Sequence, residues 1–279
     1  MYFLNINKPK GITSFDVIRA LRKRLKVKQI GHSGTLDPLA TGVMQVAVGK
    51  ATKLLDYLDS DKEYIATLKF GYVSTTFDEE GEKTFVSQPN FNLEQFQQTV
   101  NNFVGKITQI PPKYSAIKIN GKKACDIVRN NENAQIEIKA REIIINEIEI
   151  LDFQNDSATI RVSCQKGTYI RSLADDLGKA LKCGAYLTDL IRTKAGNFSL
   201  ENSNQLEDEK FCEISPIDAL NLPVIELNDE QFAKISNGNF IQVDNSKSGI
   251  ILLTKHNKLV SIANLSDNLI KPKKIFKES

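Results

Sequence analysis

Apolar and polar residues alternate along several short runs of this chain and recur at helical spacing in a few others. Residues 3 to 7 predict a strand, closed by the turn Lys8-Pro9-Lys10-Gly11. Thr13 and Asp16 then supply an S/T-x-x-D helix start, with Ile18, Leu21 and Leu25 on one face of the helix that follows. Val43 to Val48 predicts a strand and Ala51 to Leu58 a short helix. From Tyr64 to Tyr72, Ile65, Thr67 and Lys69 alternate with Ala66, Leu68 and Phe70, the period of a strand. Asn92 can cap a helix whose apolar residues are Leu93, Phe96, Val100 and Phe103. The polar stretch VRNNENAQ, residues 128 to 135, reads as an exposed loop. Residues 136 to 153 are β-rich, and Ala158 to Cys164 alternates. Lys166-Gly167 leads into a helix from Thr168 to Leu181, stopped by Gly184.

Strands interrupted by isolated helices, without regular βαβ alternation, predict an α+β fold around a largely antiparallel sheet. From Leu222 the texture changes to short strands and tight turns at 240–243, 249–254, 259–263 and 269–275. These predict a small β-rich domain beginning near residue 220.

Composition narrows the class. The 279 residues are 41% hydrophobic and 25% charged, enough to bury a core. The opening residues do not follow the basic, apolar, small-residue pattern of a signal peptide, and no apolar run approaches the roughly 18 to 20 residues that span a bilayer. A soluble, cytoplasmic protein without a membrane partner is expected. The four cysteines stand singly, as small buried hydrophobes would. Net charge is only +3, yet the part through Lys53 carries ten Lys or Arg against two acids, and the remainder is net negative. A basic end suits a surface facing a polyanion such as nucleic acid; a solvated helix face accounts for it equally well.

The P-loop and G-x-G-x-x-G signatures are absent, and the two histidines, one of them in the turn Lys255-His256-Asn257-Lys258, argue against a His-based triad or metal centre. Carboxylate, Tyr, Arg and Lys remain as candidate chemistry. Asp37 lies in GHSGTLDPLATG, residues 31 to 42, a loop-like stretch with three glycines and a proline. An Asp before Pro makes an ordinary turn, but this one follows a basic helix. A second constellation, Lys166 to Arg171, marks a strand-to-helix junction. An Arg set beside Asp37 would keep it ionised and lower its pKa; alternatively Arg171 answers Asp175 one turn on.

The runs KPKGITSFDVI, GHSGTLDPLATG, GKATKLLDYL, DKEYIATLKFG, PPKYSAIKINGKK, KGTYIRSLADDLG and LIRTKAG resemble the bacterial tRNA pseudouridine synthase B family, in that family's order, over about the first 200 residues. The resemblance implies a pseudouridine synthase fold, with a central mixed, largely antiparallel sheet flanked by helices. It implies a catalytic domain at 1–220, with an RNA-gripping insert at about 106–130, and a small PUA-like RNA-binding domain at 221–279. The implied reaction isomerises uridine 55 in the T loop of tRNA without cofactor or metal, on a monomeric enzyme. Asp37 would be the catalytic carboxylate and Arg171 its partner. Tyr64 would stack on the base and is a candidate for removing the C5 proton. Tyr169 would contact the nucleotide, Leu190 would pack at the pocket, and His32 would meet the RNA beside the flipped uridine. Lys8 and Lys10 would line the cleft. Arg19, Arg22 and Lys23 would contact phosphates, and Arg129 and Arg141 the RNA. Two departures stand out: Cys125 and Val128 in GKKACDIVR where many members have the Tyr and Ala of G-x-x-x-Y-x-x-A-R, and Ser74-Thr75-Thr76-Phe77-Asp78 in place of T-D-T-x-D. An RNA-binding protein with secondary catalysis is a competing reading, disfavoured by the joint presence of Asp37, Tyr64 and Arg171. A carboxylate hydrolase would need a second acid at glycosidase spacing, which neither signature supplies.

Overall fold

The computed structural model describes residues 1–279 except 60, 116, 120, 132–135, 245–247 and 277–279, and omits the side chains of Lys123 and Arg129. A ten-stranded mixed sheet dominates: β1 (Tyr2–Lys8), β2 (Ile30–Ser33), β3 (Thr41–Val48), β4 (Lys62–Phe70), β5 (Gly105–Gln109), β6 (Arg141–Gln154), β7 (Ser157–Cys164), β8 (Ala185–Ala195), β9 (Phe198–Ser199) and β10 (Asn204–Gln205). Its order is β10-β1-β3-β8-β4-β7-β6-β5, with β2 on β3 and β9 on β8. The β1–β10 and β3–β8 pairs are parallel and the rest antiparallel. β3 is buried almost throughout and reads as an unbroken apolar run, because both faces are covered. In β4, buried and half-buried positions alternate, turning Lys62, Tyr64, Ala66, Leu68 and Phe70 to one face.

Helix α1 (Ser14–Leu25) starts at Thr13, whose side chain and that of Asp16 cap each other's backbone. It buries Val17, Ile18 and Leu21 against β1, β2 and β3 and leaves its arginines in solvent. α2 (Leu93–Asn101) is capped by Asn92 with Gln95 in the same way. α2 and α4 (Ile170–Ala180) cover the far half of the sheet through Phe96, Val100, Leu173 and Leu177. Between them α3 (Ala124–Asn130) and a hairpin at Lys118–Ile119 and Lys122–Lys123 stand off the sheet.

Several expectations change. Residues 30–33 are a strand rather than loop, with His32 opposite Val46. The short helix at 51–58 is a 3-10 helix spanning Gly49–Tyr57. Residues 128–130 finish α3 instead of opening a loop, and 132–135 lie outside the described residues. Gly105–Gln109, at the start of the expected insert, is the edge strand β5, paired with β6.

Toward the C-terminus come α5 (Pro216–Leu220) and α6 (Asp229–Ser236), followed by a second sheet. Its strands are β11 (Val224–Glu226), β12 (Ile241–Gln242), β13 (Gly249–Lys255), β14 (Lys258–Ser266) and β15 (Leu269–Ile275), in the order β11-β13-β14-β15-β12. β11 and α6 escape the sequence pattern, β11 because three residues carry no period. One face of this sheet shares a hydrophobic cluster with the large one: Leu252, Leu259 and Ile262 pack with Phe3, Val43 and Leu54. Lys274 Nζ donates to the Lys53 carbonyl at 2.7 Å. Among the described residues no helix is long and apolar enough to cross a membrane.

Candidate active site

The GHSGTLDPLATG segment leaves β2 at Ser33, touches α1 at its first residue Ser14, and enters β3 at Thr41. Three contacts fix it. Ser14 Oγ accepts from the Leu36 N–H at 2.8 Å, the Gly11 N–H donates to the Pro38 carbonyl at 2.8 Å, and the Asp37 carbonyl closes a turn on the Ala40 N–H at 3.1 Å. Lys8 supplies a fourth: its side chain is fully buried, and Nζ donates to the carbonyls of Pro9, Ile12 and Pro38 at 2.9, 2.7 and 3.3 Å. This corrects the expectation that Lys8 lines the cleft. Its ammonium braces the loop from behind, where a ligand cannot reach it. Gly42 ends the segment with φ +102°, and a Cβ there would lie 2.2 Å from the Arg192 carbonyl, so only glycine lets β3 approach β8.

Asp37 meets Arg171 on the first turn of α4. Arg171 Nε lies 2.9 Å from Asp37 Oδ2, and Nη1 lies 3.3 Å from Asp78 Oδ2. The same guanidinium donates to the carbonyls of Thr76 (3.2 Å) and Tyr114 (2.8 Å). A cation at a helix N-terminus opposes the helix dipole, and the two carboxylates offset that cost. Asp78, in the segment Ser74 to Asp78, joins an ion pair that the sequence motifs place at Asp37 and Arg171 alone. It is buried, receives the Thr76 hydroxyl, and follows Phe77, which adopts φ +64°. A bulky residue in left-handed conformation is costly, and here it turns Asp78 back toward Arg171. Arg171 therefore bridges two acids, and the i,i+4 alternative is excluded by geometry: Asp175 pairs with Lys179.

The tip of α4 is held by a reciprocal pair. The buried Gln109 amide accepts from the Tyr169 N–H at 2.8 Å and donates to the Tyr169 carbonyl at 3.1 Å. Asp37, Tyr64, Tyr169, Arg171 and Leu190 then line one cavity of about 280 Å³, together with Lys62 and Arg192.

Two family models match consecutive stretches. The TruB family pseudouridylate synthase N-terminal domain covers residues 22–170, and the tRNA pseudouridylate synthase B C-terminal domain covers 171–220. Curated relatives named tRNA pseudouridine synthase B include one from Fusobacterium nucleatum, 42% identical over 97% of this chain and 98% of its own length. A second, from Francisella philomiragia, is 38% identical over 97% and 93%. The chain belongs to the TruB family of pseudouridylate synthases. It is an isomerase. Among solved structures, one described as an H/ACA RNP bound to a substrate RNA containing 2'-deoxyuridine shares the fold, with a TM-score of 0.76 and 23% identity over 99% of this chain and 85% of that one. A Cbf5-Nop10-Gar1 complex matches with a TM-score of 0.73, at the same identity and coverage. The α+β pseudouridine synthase fold expected from the sequence is the fold observed.

The electrostatics of this TruB-family pocket depart from expectation in one respect. Burial pushes the Asp37 carboxyl above its ordinary value. Arg171 pulls it down and Asp78 pushes it up again, and the net direction is upward. Arg171 therefore limits the rise without reversing it. Burial likewise raises Tyr64, against the pull of Arg192, so its phenol stays protonated at neutral pH. Burial lowers His32, whose Nδ1 is enclosed without a hydrogen-bond partner among the described residues. A neutral imidazole on β2 suits contact better than proton transfer.

Other expected residues lie outside the cavity lining. Lys10 is exposed and pairs with Asp189 at 2.7 Å, next to Leu190. Arg19, Arg22 and Lys23 lie on the exposed side of α1, with Arg19 and Arg22 flanking the exposed Phe15 ring. Arg22 also donates to the Ile30 carbonyl at 3.2 Å. Arg141 opens β6 opposite Gln109. The Arg129 side chain lies outside the described residues. Sequence reading missed Asp78, Lys62 and Arg192. Lys62 and Arg192 occupy inward positions of strands, and a charged residue in a buried register was the available signal. No three His, Cys, Asp or Glu side chains converge as metal ligands among the described residues.

Proposed function

We propose that this isomerase converts uridine to pseudouridine in tRNA, at uridine 55 of the T loop, and that Asp37 is the group on which bond cleavage depends. The observation that carries the reading is the placement of Asp37 at a cavity floored by Tyr64 and Leu190. One carboxylate oxygen is held by Arg171, and the other accepts no hydrogen bond among the described residues. The tRNA substrate is supported by the names of the full-length relatives.

Uridine in a folded loop hides C1′ and C5 within its stack, so the nucleotide must swing out, at a cost of a few kcal/mol. The cavity receives the base against Tyr64 and Leu190. A protonated phenol favours stacking over proton abstraction, so a C5 proton taken by Tyr64 would require the phenol to pass its own proton on first. Asp37, at the more open end, faces the sugar. As an ionised carboxylate it can attack an electron-poor carbon or take a proton beside a developing oxocarbenium, then leave again. Lys10, paired with Asp189 beside Leu190, and His32, on the strand that leads into the Asp37 loop, would meet the loop that lost its uridine in this reading. Arg19, Arg22, Lys23 and Arg141 supply phosphate contacts, and the sheet of residues 221–279 is a second RNA-binding unit in this reading.

An unmodified T-arm stem-loop tests the proposal. Carbodiimide treatment and primer extension are expected to show one new stop, at the T-loop uridine, after incubation with enzyme. No stop, or a stop in the stem, would contradict it. Affinity for the same RNA is expected to fall roughly a hundredfold for a fourfold rise in salt, the response of about four neutralised phosphates. A flat response would remove the basic face of α1 from the interface.

A further inference from the structure

The cavity holds two cations that the account so far leaves without work. Lys62 lies two residues before Tyr64 on the same face of β4, and only 9% of its surface is exposed. Its ammonium makes no hydrogen bond or ion pair among the described residues, yet the side chain lines the cavity. Arg192, 1% exposed, sits directly across from Tyr64 on β8. Its Nε donates to the Val43 carbonyl at 2.6 Å and Nη2 to the Gly34 carbonyl at 3.2 Å, and among the described residues no carboxylate pairs with it. Around Lys62, Asp59 and Asp61 attract from the exposed turn before β4, Arg192 repels from β8, and the Cys164 thiol faces it from β7. Burial, then Arg192, brings the Lys62 ammonium down to about 8, which leaves it mainly protonated at neutral pH.

An unpartnered buried ammonium beside an unneutralised guanidinium is costly to a fold. Such a cost persists where a ligand supplies the missing charge. Asp37, 39% exposed, marks the sugar end of the cavity, so the base lies deeper, toward Lys62. We propose that Lys62, backed by Arg192, is the cation that receives the negative charge of the detached uracil. The assignment rests on the uridine reading above. When C1′–N1 breaks, the bonding pair stays on the base and spreads from N1 onto O2 and O4. Lys62 donates to one of those oxygens. The pair returns to C1′ as C5 attacks, C5 then loses its proton, and N1 takes one up, so the product is an isomer. A phosphate is the weaker occupant, because the backbone of a flipped nucleotide stays outside the cavity that its base fills.

The test uses single-turnover kinetics on T-arm RNA with Lys62→Met and Lys62→Arg. Lys62→Met is expected to slow conversion about a hundredfold, the scale for losing one donor to a developing anion. RNA affinity should change less than threefold, and the melting midpoint should hold or rise, since a desolvated charge is gone. Lys62→Arg should recover part of the rate. With 5-fluorouridine in place of uridine, whose base is the better leaving group and whose C5 has no proton to lose, the Met defect in forming the C1′–C5 bond should shrink about tenfold. Four results would overturn the assignment: an unchanged rate, a loss confined to affinity as a phosphate contact would give, equal defects on the two nucleosides, or a clear fall in melting midpoint. Should Lys62→Met fail to fold, Lys62→Gln is judged by the same comparisons. Wild-type enzyme inactive on T-arm RNA would instead overturn the substrate reading.

Discussion

Asp37→Ala is expected to eliminate pseudouridine formation, a loss of at least about ten-thousandfold, while RNA affinity stays within a few-fold of wild type. The reason is positional. Asp37 sits where the cavity meets the opening, its loop is held by Ser14, Gly11 and Lys8 independently of the carboxylate, and the basic face of α1 is a separate surface. The variant should also be at least as stable as the parent. Burial raises the Asp37 pKa, so the folded state binds its proton more readily than the unfolded chain does. The stabilisation this gives is present at low pH and is lost as pH rises through the raised value. At neutral pH the ionised carboxylate therefore costs stability, and Ala removes that cost. Thermal melting with primer extension on the same preparation separates the two effects; detectable product from a folded Ala variant would sink the role given to Asp37.

Arg171→Met is expected to be the more damaging change to the protein as a whole. Arg171 and Asp78 are 6% and 3% exposed at their side chains, and removing the guanidinium leaves two facing carboxylates without their shared cation and two carbonyls without its donors. Breaking a buried pair from one side costs about 3–5 kcal/mol, so both stability and activity should fall. Arg171→Lys keeps the charge but not the fork that reaches both acids at once, and should retain the fold with reduced activity. Its pH profile carries the sign. Activity that needs ionised Asp37 is lost as pH falls through its raised pKa, so the wild-type acid limb lies above the ordinary aspartate range. Weakening the downward pull of Arg171 moves that limb toward neutral pH. A limb that stays put in the Lys variant would show that Arg171 does not set the charge of Asp37.

Much of this arrangement is legible in the sequence. The capping residues Thr13 and Asn92, the alternation of β4 and the helix after Lys166-Gly167 follow from local chemistry, and each element formed within a few residues of its expected place. Asp37, Arg171, Tyr64, Tyr169 and Leu190, drawn from four separate motifs, converge on one cavity. What escaped depends on distant partners. Asp78 becomes a site residue only because Phe77 turns left-handed and α4 arrives from nearly a hundred residues away. Lys8 looks like a surface lysine in KPKG, and only the return of Pro38 over it shows that it is buried. The balance between burial and Arg171 at Asp37 is likewise a property of the assembled pocket, which no spacing encodes.

The central claim, that one T-loop uridine is isomerised in this cavity, is most directly tested on full-length unmodified tRNA and on the same tRNA with uridine 55 replaced by cytidine. Carbodiimide mapping should give a single enzyme-dependent stop at position 55 in the first RNA and none in the second. Stops at other uridines, or a pattern unchanged by the replacement, would contradict the account.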